Sequence, residues 1–131
     1  FPFADTLTKF NITGARLKRI FAHIMRPENR TGQGECYQVN ADVRAEYDNA
    51  ARQLVSLTLR GEPVAAERVY SVCVTGYHLR SCAQFLDITY EELAEIPRPR
   101  TIATSMQDVL EEYLRNNQNI ARKVEGRLVY R

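Results

Sequence analysis

No apolar run in this chain approaches the ~20 residues that a membrane-spanning helix needs. Histidine is nearly absent: His23 and His78 are the only two, and they fall on separate predicted elements. Two-metal phosphohydrolase sites draw on several convergent His and Asp ligands, so no such centre is expected here. Cysteine is scarce and unpaired in spacing. Cys36, Cys73 and Cys82 are odd in number, which leaves room for one bridge at most and is poor evidence for a disulfide framework. With His78 they make a Cys3His inventory, but the close Cys-x2-Cys spacing of zinc sites is missing. Cys73 falls inside an apolar strand and reads as a small buried hydrophobe. A Cys82–His78 pair is too close in sequence to expect a working nucleophile and base. Neither a Gly-x-Ser-x-Gly corner nor a phosphate-cradling glycine loop occurs, so no catalytic residue is assigned. Charge bias is also lacking: 18 Lys+Arg stand against 16 Asp+Glu, for a net charge of +2. That removes the electrostatic reason to expect nucleic acid or an anionic membrane as partner. There is no low-complexity segment and no internal repeat. No signal peptide precedes Phe1-Pro2-Phe3, and the first residue is not Met, so the chain reads as an excised domain or a processed fragment.

What is present is an ordinary domain. The 131 residues are 44% hydrophobic and 26% charged, enough for one buried core without metals or disulfides. Thr6 to Thr13 reads as a strand with Thr8, Phe10 and Ile12 on one face, ended by Gly14. Ala15 to Met25 reads as a helix burying Leu17, Ile20, Phe21 and Ile24, with Arg16, Lys18, Arg19 and His23 on a solvated face. Pro27 stops it, and a polar loop follows from Glu28 to Glu35.

Ala41, Val43, Ala45 and Tyr47 alternate with charged residues, as in a half-buried strand. Val55, Leu57 and Leu59 mark the next strand. Val69 to Val74 marks a third, apolar enough to be central, completing an antiparallel meander. Thr89 and Glu92 are spaced as a capping box for a short helix to Ile96. Thr101 to Ala103 is a short strand. Thr104 or Ser105 caps a longer helix with Val109, Leu110, Tyr113 and Leu114 on one face. Glu111 and Arg115 are an i,i+4 pair on it. Leu128 to Tyr130 closes the chain as a strand. Strands cluster and helices flank them, so the fold class is α+β.

Two aromatics fall at loop edges. Phe3 precedes the first strand, and Tyr77 lies where the third strand of the meander ends. A ring at a strand terminus can hold a flat ligand. Arg80 beside it can bind an anion.

The order of motifs resembles the C-terminal domain of the 5'-nucleotidase, UDP-sugar hydrolase and 2',3'-cyclic-nucleotide phosphodiesterase family. Pro2-Phe3 with Asp5-Thr6-Leu7, Ile12-Thr13-Gly14-Ala15-Arg16-Leu17, Gly34-Glu35-Cys36-Tyr37-Gln38-Val39, Val69-Tyr70-Ser71-Val72 and Glu125-Gly126-Arg127-Leu128 follow the family order over nearly the whole chain. The resemblance implies a 5'-nucleotidase C-terminal-domain fold, an antiparallel or mixed sheet with flanking helices. It implies a single domain over residues 1–131, truncated at its N-terminal side and lacking the catalytic metallophosphoesterase domain. That missing domain of the same polypeptide would carry two divalent metal ions of the Zn, Mn or Mg type. The fragment alone would hold no metal and would not be catalytic. Its task would be to bind a nucleotide or nucleoside-like small molecule by stacking the base between Phe3 and Tyr77, with Arg80 as a further substrate contact. Family members are often periplasmic or on the cell surface, whereas the unpaired cysteines lean toward the cytoplasm.

One stretch departs from the family pattern. Where relatives carry Gly-Gly-Asp-Gly, this chain has Arg80-Ser81-Cys82-Ala83-Gln84-Phe85, and Ala83 stands in the Asp place. An alanine side chain cannot accept the ribose hydroxyls. A degenerate structural or interaction module without nucleotide binding is therefore the competing expectation.

Overall fold

The computed structural model describes residues 5–31, 37–96 and 99–131. Strand β1 (Leu7–Thr13) buries Thr8, Phe10 and Ile12 on the expected face. It runs straight into helix α1 (Gly14–Ile24). The Thr13 hydroxyl accepts the Arg16 backbone N–H and caps the helix. Leu17, Ile20, Phe21 and Ile24 form its buried stripe. A single helical turn, α2 (Glu28–Thr31), takes the start of the expected polar loop.

Strand β2 (Val43–Asp48) buries Val43, Ala45 and Tyr47, while Ala41 stays in the exposed turn before it. Strand β3 (Gln53–Leu59) pairs antiparallel to β2 with a bulge: Glu46 faces Ser56, but the next residue, Tyr47, faces Leu54. Val55 is the extra residue. It turns outward, and Leu54 takes the inward place expected of Val55. Arg60 and Gly61 both adopt positive φ, 52° and 79°, which matches the twist of a tight hairpin into β4 (Glu62–Pro63).

Strand β5 (Val69–Thr75) corrects the expected meander. It does not continue from β3 and β4. It pairs antiparallel with β1, Thr13 facing Val69 and Leu7 facing Thr75, and it lies at the edge of its sheet. The cause lies at the start of α1, whose first N–H groups have no partner within the helix. Gly14 donates to the Arg68 carbonyl (2.8 Å) and Ala15 to the Ala66 carbonyl (2.9 Å). The connection after β4 is thereby pulled across the helix start and delivered to β1. Val64 is buried, and the Tyr70 hydroxyl accepts the Ala65 N–H (2.9 Å). On the edge strand only Tyr70 is fully buried, and Cys73 is exposed rather than a core residue.

Three short helices follow: α3 (Gly76–Arg80), α4 (Cys82–Phe85) and α5 (Tyr90–Ala94). The Thr89–Glu92 capping box is present at α5. Strand β6 (Arg100–Ala103) pairs with β1, and Ser105 caps α6 (Met106–Asn116). No residue of α6 is buried, so its expected core face is open. Glu111 accepts from the Gln107 side chain (3.0 Å) rather than pairing with Arg115. Strand β7 (Leu128–Tyr130) lies parallel to β2.

The result is α+β: an antiparallel sheet β5-β1-β6 and a mixed sheet β4-β3-β2-β7, with flanking helices. Helix α1 packs on β1 and β5 of one sheet and on β3 of the other. One core cluster therefore joins Phe10, Ile12, Ile20, Phe21, Tyr47 and Leu57. The cationic face of α1 is not simply solvated. Arg19 holds the Glu92 carboxylate (2.7 Å) and the Asp87 carbonyl (3.0 Å), and Arg16 reaches Glu92 (3.5 Å) and Glu95 (2.8 Å). These contacts clamp α5 onto α1.

Candidate functional site at the start of α3

Strand β5 leaves its sheet through the same local chemistry as β1. Ile12-Thr13-Gly14 is matched by Val74-Thr75-Gly76, with a leucine three residues after each glycine. This six-residue recurrence is too short to count as a repeat. Thr75 caps α3 as Thr13 caps α1.

Asp5 ties the second corner to the start of β1. Its carboxylate accepts the backbone N–H groups of Thr6 (2.8 Å) and Tyr77 (3.1 Å), and the Arg80 guanidinium lies 4.0 Å away. Burial pushes the Asp5 carboxyl up, but the Thr6 and Tyr77 N–H groups, Arg80 and the Thr75 hydroxyl outweigh it and hold it below the usual range. Gly76 sits close under these side chains. A Cβ there would lie 2.4 Å from the Thr6 hydroxyl and 2.8 Å from an Asp5 carboxylate oxygen.

Tyr77 is held at its backbone, and the residue is 47% exposed. Phe85 supports it from α4, ring centroids 5.2 Å apart and planes tilted by 39°. His78 meets Tyr77 edge-on at 5.4 Å, and Tyr37 and Phe85 each lie 5.4 Å from the His78 ring. The Tyr37 hydroxyl donates to the Phe85 carbonyl (3.3 Å). The Thr75 hydroxyl lies 2.8 Å from His78 Nδ1, and the ring tautomer decides which of the two donates. His78 Nε2 is buried and has no hydrogen-bond partner among the described residues.

Of the sequence-predicted site residues, Tyr77 and Arg80 come together at this corner. Phe3 lies outside the described residues, as does Cys36. Asp5, His78, Phe85 and Tyr37 belong to the cluster and were not singled out as site residues in the sequence. Tyr77 and Phe85 are eight residues apart across a break at Ser81, a separation with no helical or strand period to mark it. The stretch that departs from the glycine loop forms the α4 turn, with Cys82 buried and Ala83 exposed.

A concavity of about 270 Å³ lies elsewhere, beside α1, lined by Arg19, His23, Arg26, Tyr47 and Arg52 among others. Its cations are largely engaged: Arg19 with Glu92, Arg52 with Glu28, and Arg26 with His23. None of the predicted site residues lines it.

Among the described residues no three His, Cys, Asp or Glu side chains converge as metal ligands. Partial desolvation at the exposed Cys73 and burial at Cys82 push both thiols up, away from the reactive thiolate. No helix of the described residues is long and apolar enough to cross a membrane.

The family model for the 5'-nucleotidase, C-terminal domain, matches residues 1–89, which include both Thr-Gly corners and the ring cluster. The chain belongs to the 5'-nucleotidase C-terminal domain family. Solved structures extend the likeness of fold over the rest of the chain. A 5'-nucleotidase precursor from Thermus thermophilus is 21% identical, with a TM-score of 0.76 over 99% of this chain and 26% of its own. The NAD nucleotidase NadN of Haemophilus influenzae is 18% identical, with a TM-score of 0.75 over 99% of this chain and 25% of its own. The Thermus thermophilus sulfate thiohydrolase SoxB, in complex with glycerol, is 19% identical, with a TM-score of 0.62 over 95% of this chain and 22% of its own. This family domain thus spans about a quarter of the length of the solved proteins it matches. A comparison with curated proteins found no match.

Proposed function

We propose that this chain is the nucleobase-binding part of a two-metal nucleotide phosphohydrolase. A catalytic metallophosphoesterase domain preceding it in the same polypeptide hydrolyses the phosphate ester. The observation that carries this reading is the Tyr77 ring: pinned at its backbone by Asp5, backed by Phe85, and half open to solvent. A ring so held presents a face to a flat ligand at little entropic cost. Family membership and nucleotidases among the structural relatives support a nucleotide as that ligand. Phe3 would close on the other side of the base. Arg80, 68% exposed, would meet an anionic part of the substrate, with Asp5 holding its inner side.

The test is phosphate release by the full-length parent with Mn2+ or Zn2+, on nucleoside monophosphates, cyclic nucleotides, UDP-sugars and a baseless sugar phosphate. Stacking on one aromatic contributes ~1–3 kcal/mol, so Tyr77→Ala should raise KM for base-bearing substrates by about 5- to 150-fold. The baseless substrate should be unaffected. An unchanged KM for the nucleotides refutes the reading.

The α4 turn favours one alternative. It replaces the loop that would reach the ribose, and Ala83 offers no acceptor there. SoxB, a sulfate thiohydrolase by name, has the same fold. On that reading the domain is a structural module or serves a substrate without a base, and the same panel would show the baseless substrate turned over as well as the nucleotides.

A further inference from the structure

Helix α6 is amphipathic, yet nothing in the described structure covers its apolar face. Val109 and Tyr113 stand one turn apart, as do Leu110 and Leu114, and all four are 38–48% exposed. Ile102 of the adjoining strand β6 and Ile120 beyond the helix are exposed as well. Single exposed apolar residues are ordinary, but a stripe on one helix continued by its neighbours marks a contact surface. An isolated eleven-residue helix is marginal in water, so the stripe needs a partner to keep α6 formed.

Two observations name that partner. The Met106 N–H donates to the Asp5 carbonyl (2.8 Å), so the start of α6 is held against the point where the chain enters β1. Asp5, the first described residue, therefore lies beside the first turn of this helix. The solved relatives are about four times as long as the part this chain matches, which leaves ample chain to supply the cover. We infer that the apolar face of α6 is the seat of the part of the same polypeptide that precedes Phe1. The inference rests on the proposed two-domain parent and deepens it. It assigns the face through which the upstream portion is held, at the end of the sheet that carries the Tyr77 corner. At helical spacing Glu111 and Glu112 lie on either side of the stripe, while Asp108 and Arg115 fall on the opposite face, so the seated surface is apolar with a basic border.

The experiment is hydrogen exchange on the purified full-length parent, with its mass in solution measured alongside. The backbone amides of 109–116 should exchange at least about tenfold more slowly than a free helix of that sequence, at a monomer mass and independently of concentration. Leu110→Asp with Leu114→Asp should restore fast exchange there while β1 and β5 keep their protection. Exchange in the parent at the free-helix rate overturns the inference. So does protection that appears only with self-association, which would make a second copy the occupant, and so does a reading frame with no upstream polypeptide. The two readings fail separately. A null Tyr77→Ala result sinks base stacking and leaves a protected α6 standing. An unprotected α6 beside a raised KM in Tyr77→Ala sinks only the seat.

Discussion

Gly14 has no room for a side chain. A Cβ there would lie 1.9 Å from the Ala65 carbonyl oxygen and 2.7 Å from its carbon, both backbone atoms of the connection that crosses the helix start. Neither can swing away as a flexible side chain would. Gly14→Ala should therefore cost at least ~1–3 kcal/mol and lower Tm by several degrees, despite alanine's better helix propensity. A Tm at or above that of the parent protein would show that the connection yields. Tyr77 and Arg80 were legible in the sequence because an aromatic and a cation at a strand end stand out. Asp5 was not, because 72 residues separate it from Tyr77 and only the β1–β5 pairing brings them together, and Phe85 was not, because its eight-residue separation from Tyr77 across the break at Ser81 carries no helical or strand period.

Elements whose pattern is local read correctly from the sequence. β1, β2, α1 and the Thr89 capping box each carry their signal within a few residues. What the sequence misplaced depends on partners far away: β5 crosses to β1 because orphan N–H groups at Gly14 and Ala15 capture residues 66–68. The bulge at Val55 likewise shows only once β2 lies opposite. The clamp between α1 and α5 is of the same long-range kind, and it has a pH signature. The Arg19 guanidinium, with the Thr89 N–H, draws the Glu92 carboxyl down to about 2 from its ordinary 4.5. A carboxyl lowered on folding stabilises the folded state above its unfolded pKa, and that contribution fades as pH falls through the folded value. Stability should therefore decline between about pH 5 and pH 2 as Glu92 takes up its proton. Glu92→Gln can keep the capping box but not the charge. It should lower the denaturation midpoint at pH 7 and flatten its fall toward pH 2 relative to the parent protein. Parallel acid profiles for the two proteins would contradict the clamp.

Across the whole molecule the β1–β5 ribbon carries a Thr-Gly corner at each end. Thr13 faces Val69 and Leu7 faces Thr75, so the two corners are separated by six residue steps, ~20 Å at ~3.3 Å per residue. The corner at Thr13 launches a helix whose apolar stripe is core. The corner at Thr75 launches five residues of which only Gly76 is buried, and these present Tyr77 outward. The same local device therefore serves packing at one end and presentation at the other. Substitution should separate the two. Thr13→Ala removes a cap from the core helix and should cost ~1 kcal/mol of stability while leaving KM for nucleotides unchanged. Thr75→Ala releases both Asp5 and His78 and should raise KM several-fold with a smaller loss of stability, since α3 contributes little to the core. The two sites share no side-chain partner and stand well apart, so the double variant should show additive stability losses within ~0.5 kcal/mol. Urea denaturation of the four proteins, with KM measured on each parent, reads both quantities. A coupling well above that limit, or a KM that moves with Thr13→Ala, would mean the ribbon transmits strain from one corner to the other.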